Sequence, residues 1–189
     1  IRDRVDAWAR AFADCPQVRA EQGDYFRTDA DAVVSPANSF GFMDGGLDLV
    51  ISQHLGWGVE DRVRAVLMAE HEGELPVGQA FIVPTDNARH PWLVFAPTMR
   101  VPMNVAKTAH AFLAMRAILR AVRLHSAAHP LIRSVLCPGL GTGNGCMPPK
   151  RCAKQMRQAY AVCVQGEVLR KGGLAGAARQ HMWLVDAEG

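Results

Sequence analysis

Two glycine-rich segments, each placed at the end of an apolar run, constrain this chain more than any other feature. The first reads Val33-Val34-Ser35-Pro36-Ala37-Asn38-Ser39-Phe40-Gly41-Phe42-Met43-Asp44-Gly45-Gly46-Leu47-Asp48. The second reads Val135-Leu136-Cys137-Pro138-Gly139-Leu140-Gly141-Thr142-Gly143-Asn144-Gly145. Each apolar run reads as a buried strand. Glycine reaches positive φ and lets another group come close to the backbone. Two such loops can therefore gather many N–H groups around an anion such as a diphosphate. They are far apart in sequence, and a folded α/β sheet is what could bring them together. Asn38, Asp44 and Asp48 add side chains suited to sugar hydroxyls or to activating water.

The periodicity around these loops alternates strand and helix. Val5, Trp8, Ala9 and Phe12 fall at i, i+3, i+4, i+7 and predict an amphipathic helix that Cys15-Pro16 ends. Val18 to Glu21 reads as a short strand, and Ala32 to Ser35 as a buried one. Helices are expected from Asp48 to Leu55, around Val59, Val63, Val66 and Leu67 as far as Gly73, along Phe112, Met115, Leu119 and Val122, and along Ala153, Met156, Tyr160 and Val164. Ala80 to Val83, Trp92 to Ala96, Leu131 to Cys137 and Met182 to Val185 read as strands. Alternation of this kind predicts an α/β fold with a central, mostly parallel sheet, whose ligands bind at the carboxyl ends of strands.

The chain's 189 residues fit a single domain spanning 1–189, with a core large enough to need no staples. A net charge of +3, with no Lys/Arg block and no aromatic residues interleaved with basic ones, gives no nucleic-acid footprint. Five cysteines (Cys15, Cys137, Cys146, Cys152, Cys163) without CxxC spacing predict reduced thiols in a cytoplasmic protein. No apolar run approaches the ~18 residues of a membrane span. The opening Ile1-Arg2-Asp3-Arg4 does not read as a signal peptide, and the missing Met is expected of a fragment or trimmed chain. No metal site and no cofactor are expected.

Gly139-Leu140-Gly141-Thr142-Gly143-Asn144-Gly145 is not GxGxxG, and Pro148-Pro149 are expected to keep a helix from opening directly after it, so the dinucleotide fingerprint fails. No GxxxxGK[ST] is present. Four glycines in this stretch exceed what a connection needs, which favours a phosphate-facing role with Thr142 adding a hydroxyl. Asn38 by itself reads as a turn residue making a local side-chain bond. Asp44-Gly45 reads as a turn pair, and Asp48 as an acid at the positive end of a helix. A carboxylate there would repel phosphate unless it faces a sugar or a water. His125 and His129, four apart with Pro130 next, read as a helix end rather than a metal site. Cys146 has no partner constellation and reads as packing.

Taken in order, these segments resemble the macrodomain family, whose members bind ADP-ribose. Gly23-Asp24-Tyr25-Phe26 is similar to its Gly-Asp-Ile-Thr. Val34 to Ser39 followed by Gly45-Gly46-Leu47-Asp48 resembles Val-Asn-Ala-Ala-Asn-Ser, then glycines, then Val-Asp. Gly78-Gln79-Ala80 is similar to Gly-x-Ala before a strand, with Leu93-Val94-Phe95-Ala96-Pro97 where the next strand is expected. Gly141-Thr142-Gly143 is similar to Ser-Thr-Gly in the second phosphate loop.

The resemblance implies a three-layer α/β/α sandwich around a six-stranded mixed sheet, with an ADP-ribose cleft across the strand ends. It implies that Asp24 accepts from the adenine amino group with the Tyr25 backbone nearby. Gly45, Gly46, Leu47, Gly139, Leu140, Gly141, Thr142, Gly143, Asn144 and Gly145 would surround the diphosphate. Asn38 would contact the distal ribose, and Asp48 would sit near its anomeric carbon, giving Asp48 and Asn38 as catalytic residues. The implied partner is ADP-ribose or an ADP-ribosylated macromolecule. The implied activity is hydrolysis of an ADP-ribosyl group, O-acetyl-ADP-ribose or ADP-ribose-1″-phosphate at the terminal ribose, and the alternative is a non-catalytic ADP-ribose reader. The chain departs from the family pattern at Ser35-Pro36, which replaces the first Asn, and at Met43-Asp44 within the glycine run. It also has Ser52 where some hydrolytic members carry His, and Asn144-Gly145 where an aromatic follows Ser-Thr-Gly.

Overall fold

In a computed structural model of the chain, which describes residues 2–128, 130–168 and 172–186, ten elements follow one another. They are α1 (Arg2–Ala11), β1 (Ala32–Ser35), α2 (Gly46–Leu55), α3 (Gly58–Glu70), β2 (Phe81–Pro84), β3 (Trp92–Phe95), α4 (His110–Ala128), β4 (Val135–Leu136), α5 (Pro149–Cys163) and α6 (Gly173–Val185). The sheet has the order β2-β3-β1-β4. β1 lies parallel to both β3 and β4, and β2 runs antiparallel to β3. Parallel strands need both faces covered, and β1 shows why: all four of its residues, Ala32 to Ser35, have no exposed surface.

Successive strand residues point to opposite faces, and this divides the core in two. Ala32, Val34, Val94 and Ala96 pack with Phe12 beyond the end of α1, with Phe112, Met115 and Ile118 of α4, with Met156 and Tyr160 of α5, and with Leu184 of α6. Val33, Leu93 and Phe95 face Ile51 and Leu55 of α2 and Val59, Val63 and Leu67 of α3. The result is a three-layer α/β/α sandwich.

The sheet among the described residues has four strands, not the six expected. Val18 to Glu21 forms no strand. Met182 to Val185 is the last turn of α6, where Leu184 alone is buried; a single apolar anchor in a short run fits a helix edge as readily as a strand. Leu131 to Cys137 is strand only at Val135–Leu136. Pro148 and Pro149 do not keep a helix away from the second glycine loop. They start α5, with Pro149 in its first turn, where a missing N–H costs nothing. His125 lies in the last turn of α4 with its ring against Trp92, and His129 lies outside the described residues.

One side chain explains why β4 is so short. The β1–β4 ladder pairs Ala32 with Val135 and Val33 with Leu136, then stops. The Tyr25 hydroxyl sits at that point. It accepts from the Val34 N–H at 3.1 Å and donates to the Leu136 carbonyl at 2.7 Å, with the Val34 carbonyl 3.0 Å away. Burial, with Cys137 next, holds its pKa well above the ordinary tyrosine value, so it stays a neutral donor. The segment carrying Tyr25 is itself anchored. Phe26 stacks on His54 at the end of α2, with centroids 3.9 Å apart, and meets the edge of the buried His90. Tyr25→Phe should leave a strand N–H and a carbonyl without partners and lower unfolding free energy by about 2 kcal/mol, read from urea denaturation.

Candidate functional site

Both glycine loops leave the carboxyl ends of neighbouring strands, β1 and β4, and they meet across a cleft of about 260 Å³. Asn38, Asp44, Gly45, Gly46, Leu47 and Asp48 line it from the first loop, and Gly139, Gly141, Thr142, Gly143 and Asn144 from the second. The two loops come close: a side chain begun at Gly46 would lie 3.9 Å from the Asn144 amide nitrogen.

The chemistry of the cleft wall is set by main-chain donors. The N–H groups of Gly46, Leu47 and Asp48 form the first turn of α2, and Gly45 at its N-cap supplies no side-chain oxygen. These three make no hydrogen bond to the described residues, and neither do those of Gly143 and Asn144. Helix N-termini and consecutive loop amides of this kind attract anions.

Asp48 stands in the same first turn. A helix N-terminus favours a carboxylate, yet burial dominates here and pushes the Asp48 pKa up to about 6, against a lowering by the Ser35 hydroxyl. That hydroxyl donates to Oδ1 at 2.6 Å. The site therefore combines unsatisfied backbone donors with an acid that titrates near neutrality.

Asn38 turns its side chain onto its own loop. Oδ1 accepts from the N–H groups of Phe40 at 3.1 Å and Phe42 at 3.4 Å, and Nδ2 donates to the Phe42 carbonyl at 2.8 Å. The local turn bond expected of an isolated Asn is present, and it holds Phe42 at the cleft wall under the Arg64 guanidinium, 5.0 Å from the ring centre. The Thr142 hydroxyl donates to the Gly139 carbonyl at 2.9 Å.

Four of the anticipated residues do not line the cleft. Asp24 is exposed and accepts from the Phe26 N–H at 3.0 Å, closing a turn. Tyr25 holds the strand gap. Leu140 is fully buried. Gly145 is also buried, and its carbonyl accepts from the Val105 N–H. Its place admits no side chain, because a Cβ would meet the Gly141 carbonyl at 2.5 Å.

Sequence reasoning missed Ser35 as a partner of Asp48, and missed Phe42, Thr98, Met99 and Pro102 as lining residues. The last three follow the carboxyl end of β3, so the strand-end rule that selected the other loops applies to them as well. They are tied to the first loop by bonds from the Ser39 N–H to the Met99 carbonyl, from the Thr98 N–H to the Ala37 carbonyl and from the Thr98 hydroxyl to the Pro36 carbonyl.

Glycines in the second loop should separate structural from ligand-facing roles. Gly145→Ala should destabilise the fold by about 2 kcal/mol through overpacking. Gly143→Ala, with open space at its Cβ position, should leave the melting temperature within about 1 °C of native, by calorimetry.

Comparison with known proteins gives the family and the fold. Residues 34–156 match the family model described as Macro domain. An uncharacterized protein of Aquifex aeolicus (strain VF5) is 30% identical over 139 residues, 74% of this chain and 78% of its own length. Among solved structures, the macrodomain of Mycobacterium tuberculosis DarG superposes with a TM-score of 0.63 at 23% identity, covering 75% of this chain and 88% of that one. Thermosipho africanus DarTG, in complex with ADP-ribose, gives 0.59 at 18%, covering 76% and 38%. With its glycine loops inside the matched span, the chain belongs to the macrodomain family.

Proposed function

We propose that this macrodomain binds ADP-ribose across the cleft and hydrolyses an ADP-ribosyl derivative at the terminal ribose. The observation that carries the proposal is the meeting of two sets of acceptor-free backbone N–H groups with Asp48, whose carboxyl is pushed up to about 6. The amides of Gly46 and Leu47 on one side and of Gly143 and Asn144 on the other suit a diphosphate. Above pH 6 Asp48 is mainly ionised and takes a proton from water as that water attacks the anomeric carbon. The leaving group departs with the electron pair of the broken bond and is protonated from solvent. A general base with a pKa close to the working pH is the efficient case. An ADP-ribosylated macromolecule and ADP-ribose-1″-phosphate carry the leaving group on that carbon; in O-acetyl-ADP-ribose the activated water attacks the acetyl carbonyl carbon instead, releasing acetate and the free ribose hydroxyl.

The reading of a non-catalytic module is favoured by Asn38, whose amide is engaged with Phe40 and Phe42 and so is less free to fix a sugar. Calorimetry should give micromolar or tighter affinity for ADP-ribose, and Gly143→Val should weaken it severely by filling the approach to the backbone. Absence of heat at millimolar ADP-ribose overturns the binding proposal. Asp48→Ala should lower initial rates on a mono-ADP-ribosylated protein or on O-acetyl-ADP-ribose by about 10²-fold. It should leave affinity unchanged or tighter, because a negative charge near the diphosphate is removed. Binding without turnover in the native protein would select the reader.

A further inference from the structure

We infer that Ser35 is a positioning residue, whose hydroxyl fixes the Asp48 carboxylate so that Oδ2 is the oxygen exchanging protons with the cleft. The inference rests on Asp48 acting as the acid–base group described above.

Ser35 closes β1 after Ala32, Val33 and Val34, and it has no exposed surface. A hydroxyl so buried needs a partner, and this one's is Asp48 Oδ1 at 2.6 Å, within the range of an O–H donor on a charged oxygen. The Ser35 main chain is held independently: its carbonyl accepts from the Ala96 N–H at 3.1 Å, and the next carbonyl, of Pro36, accepts from the Thr98 hydroxyl at 2.9 Å. The donor is therefore anchored to the sheet, while the carboxylate it holds sits on a helix across the cleft wall.

Asp48 Oδ2 has no hydrogen bond to the described residues. With Oδ1 engaged as an acceptor, Oδ2 is the site where a proton adds. The ionised acid then presents one defined acceptor, and the protonated acid one defined donor. The titratable neighbours do not compete for this role. Tyr25, from the segment before β1, and Cys137, after β4, are both kept neutral by burial, Cys137 being pushed up to about 12. Asp44, on the same loop, is exposed. Ser35 is thus the described donor that opposes the burial of Asp48.

The test follows the Asp48 carboxyl carbon by NMR in ¹³C-aspartate-labelled full chain, assigned with Asp48→Asn, alongside the pH–rate profile. Ser35→Ala should move the Asp48 titration up by about one pH unit, the size expected for losing a hydrogen bond to a charged group. The acidic limb of the rate profile should move up with it, and Ser35→Thr, which keeps the donor, should restore both. If Ser35→Ala does not fold, Ser35→Cys, nearly isosteric with a weaker donor, should shift the titration in the same direction. A folded variant without the hydroxyl whose Asp48 titrates as in the native chain overturns the assignment. A native protein that turns over no substrate overturns the hydrolase reading instead, and the NMR titration still decides Ser35's hold on the carboxylate.

Discussion

The Tyr25 hydroxyl, lodged where the β1–β4 ladder ends, is the contact on which the cleft depends. Two parallel strands left to themselves would continue pairing, but Pro138 has no N–H to offer and the next donor, that of Val34, is taken by Tyr25. The strands are held together at that point and released beyond it. Each then turns into a glycine loop, and the cleft is the space between them. The same side chain ties the Gly23-Asp24 segment to the floor of the site, since Phe26 next to it is stacked on His54 at the far end of α2. The helix that begins at the cleft with Asp48 and the turn that precedes β1 are therefore parts of one packed unit.

How much of this could be read from the sequence depended on whether the signal was local. Both glycine loops, the strands Ala32–Ser35 and Trp92–Phe95, and the long helix around Phe112 to Val122 were legible, because strong apolar periodicity and glycine content need no tertiary context. Met182 to Val185 was misread because four apolar residues fit either period, and its helical neighbours Leu174 and Ala178 are mostly solvent-facing and give no stripe. Val18 to Glu21 was misread because so short a run carries no sign of a pairing partner, and no strand of the sheet pairs with it. The β1–β4 gap was invisible, since a tyrosine acting as a rung between strands leaves no pattern in sequence.

Within the site, residue type was easier to anticipate than orientation. Asn38 illustrates the difference. Its position in a loop after a buried strand reads by itself as a turn, and as a sugar contact only through the family resemblance; its three bonds to Phe40 and Phe42 give it a structural task at once. That task has its own consequence for the cleft. By fixing both the N–H and the carbonyl of Phe42, the Asn38 amide sets an aromatic ring on the wall of the first loop. In the second loop, the sequence after Gly143 carries only Asn144 and Gly145. The aromatic surface of this cleft comes from the loop that also carries the acid.

The acid is governed by opposing fields. The N-terminus of α2 and the Ser35 hydroxyl favour a charged Asp48, while burial disfavours it, and burial prevails. A group whose pKa is raised on folding costs stability when it is ionised: at neutral pH the folded chain carries a charge that the unfolded chain would hold more cheaply, and the penalty is relieved as pH falls through 6 towards the ordinary carboxylate range. His54 acts in the opposite sense. Burial, followed by His90 and Arg89, lowers its pKa from 6.5, so its contribution is complete above that value and is lost on acidification. The two sit at opposite ends of one ten-residue helix. The two act on stability in opposite directions as pH falls, one at the cleft and one behind it. Asp48→Asn removes the first and should expose the second as a loss of stability on acidification.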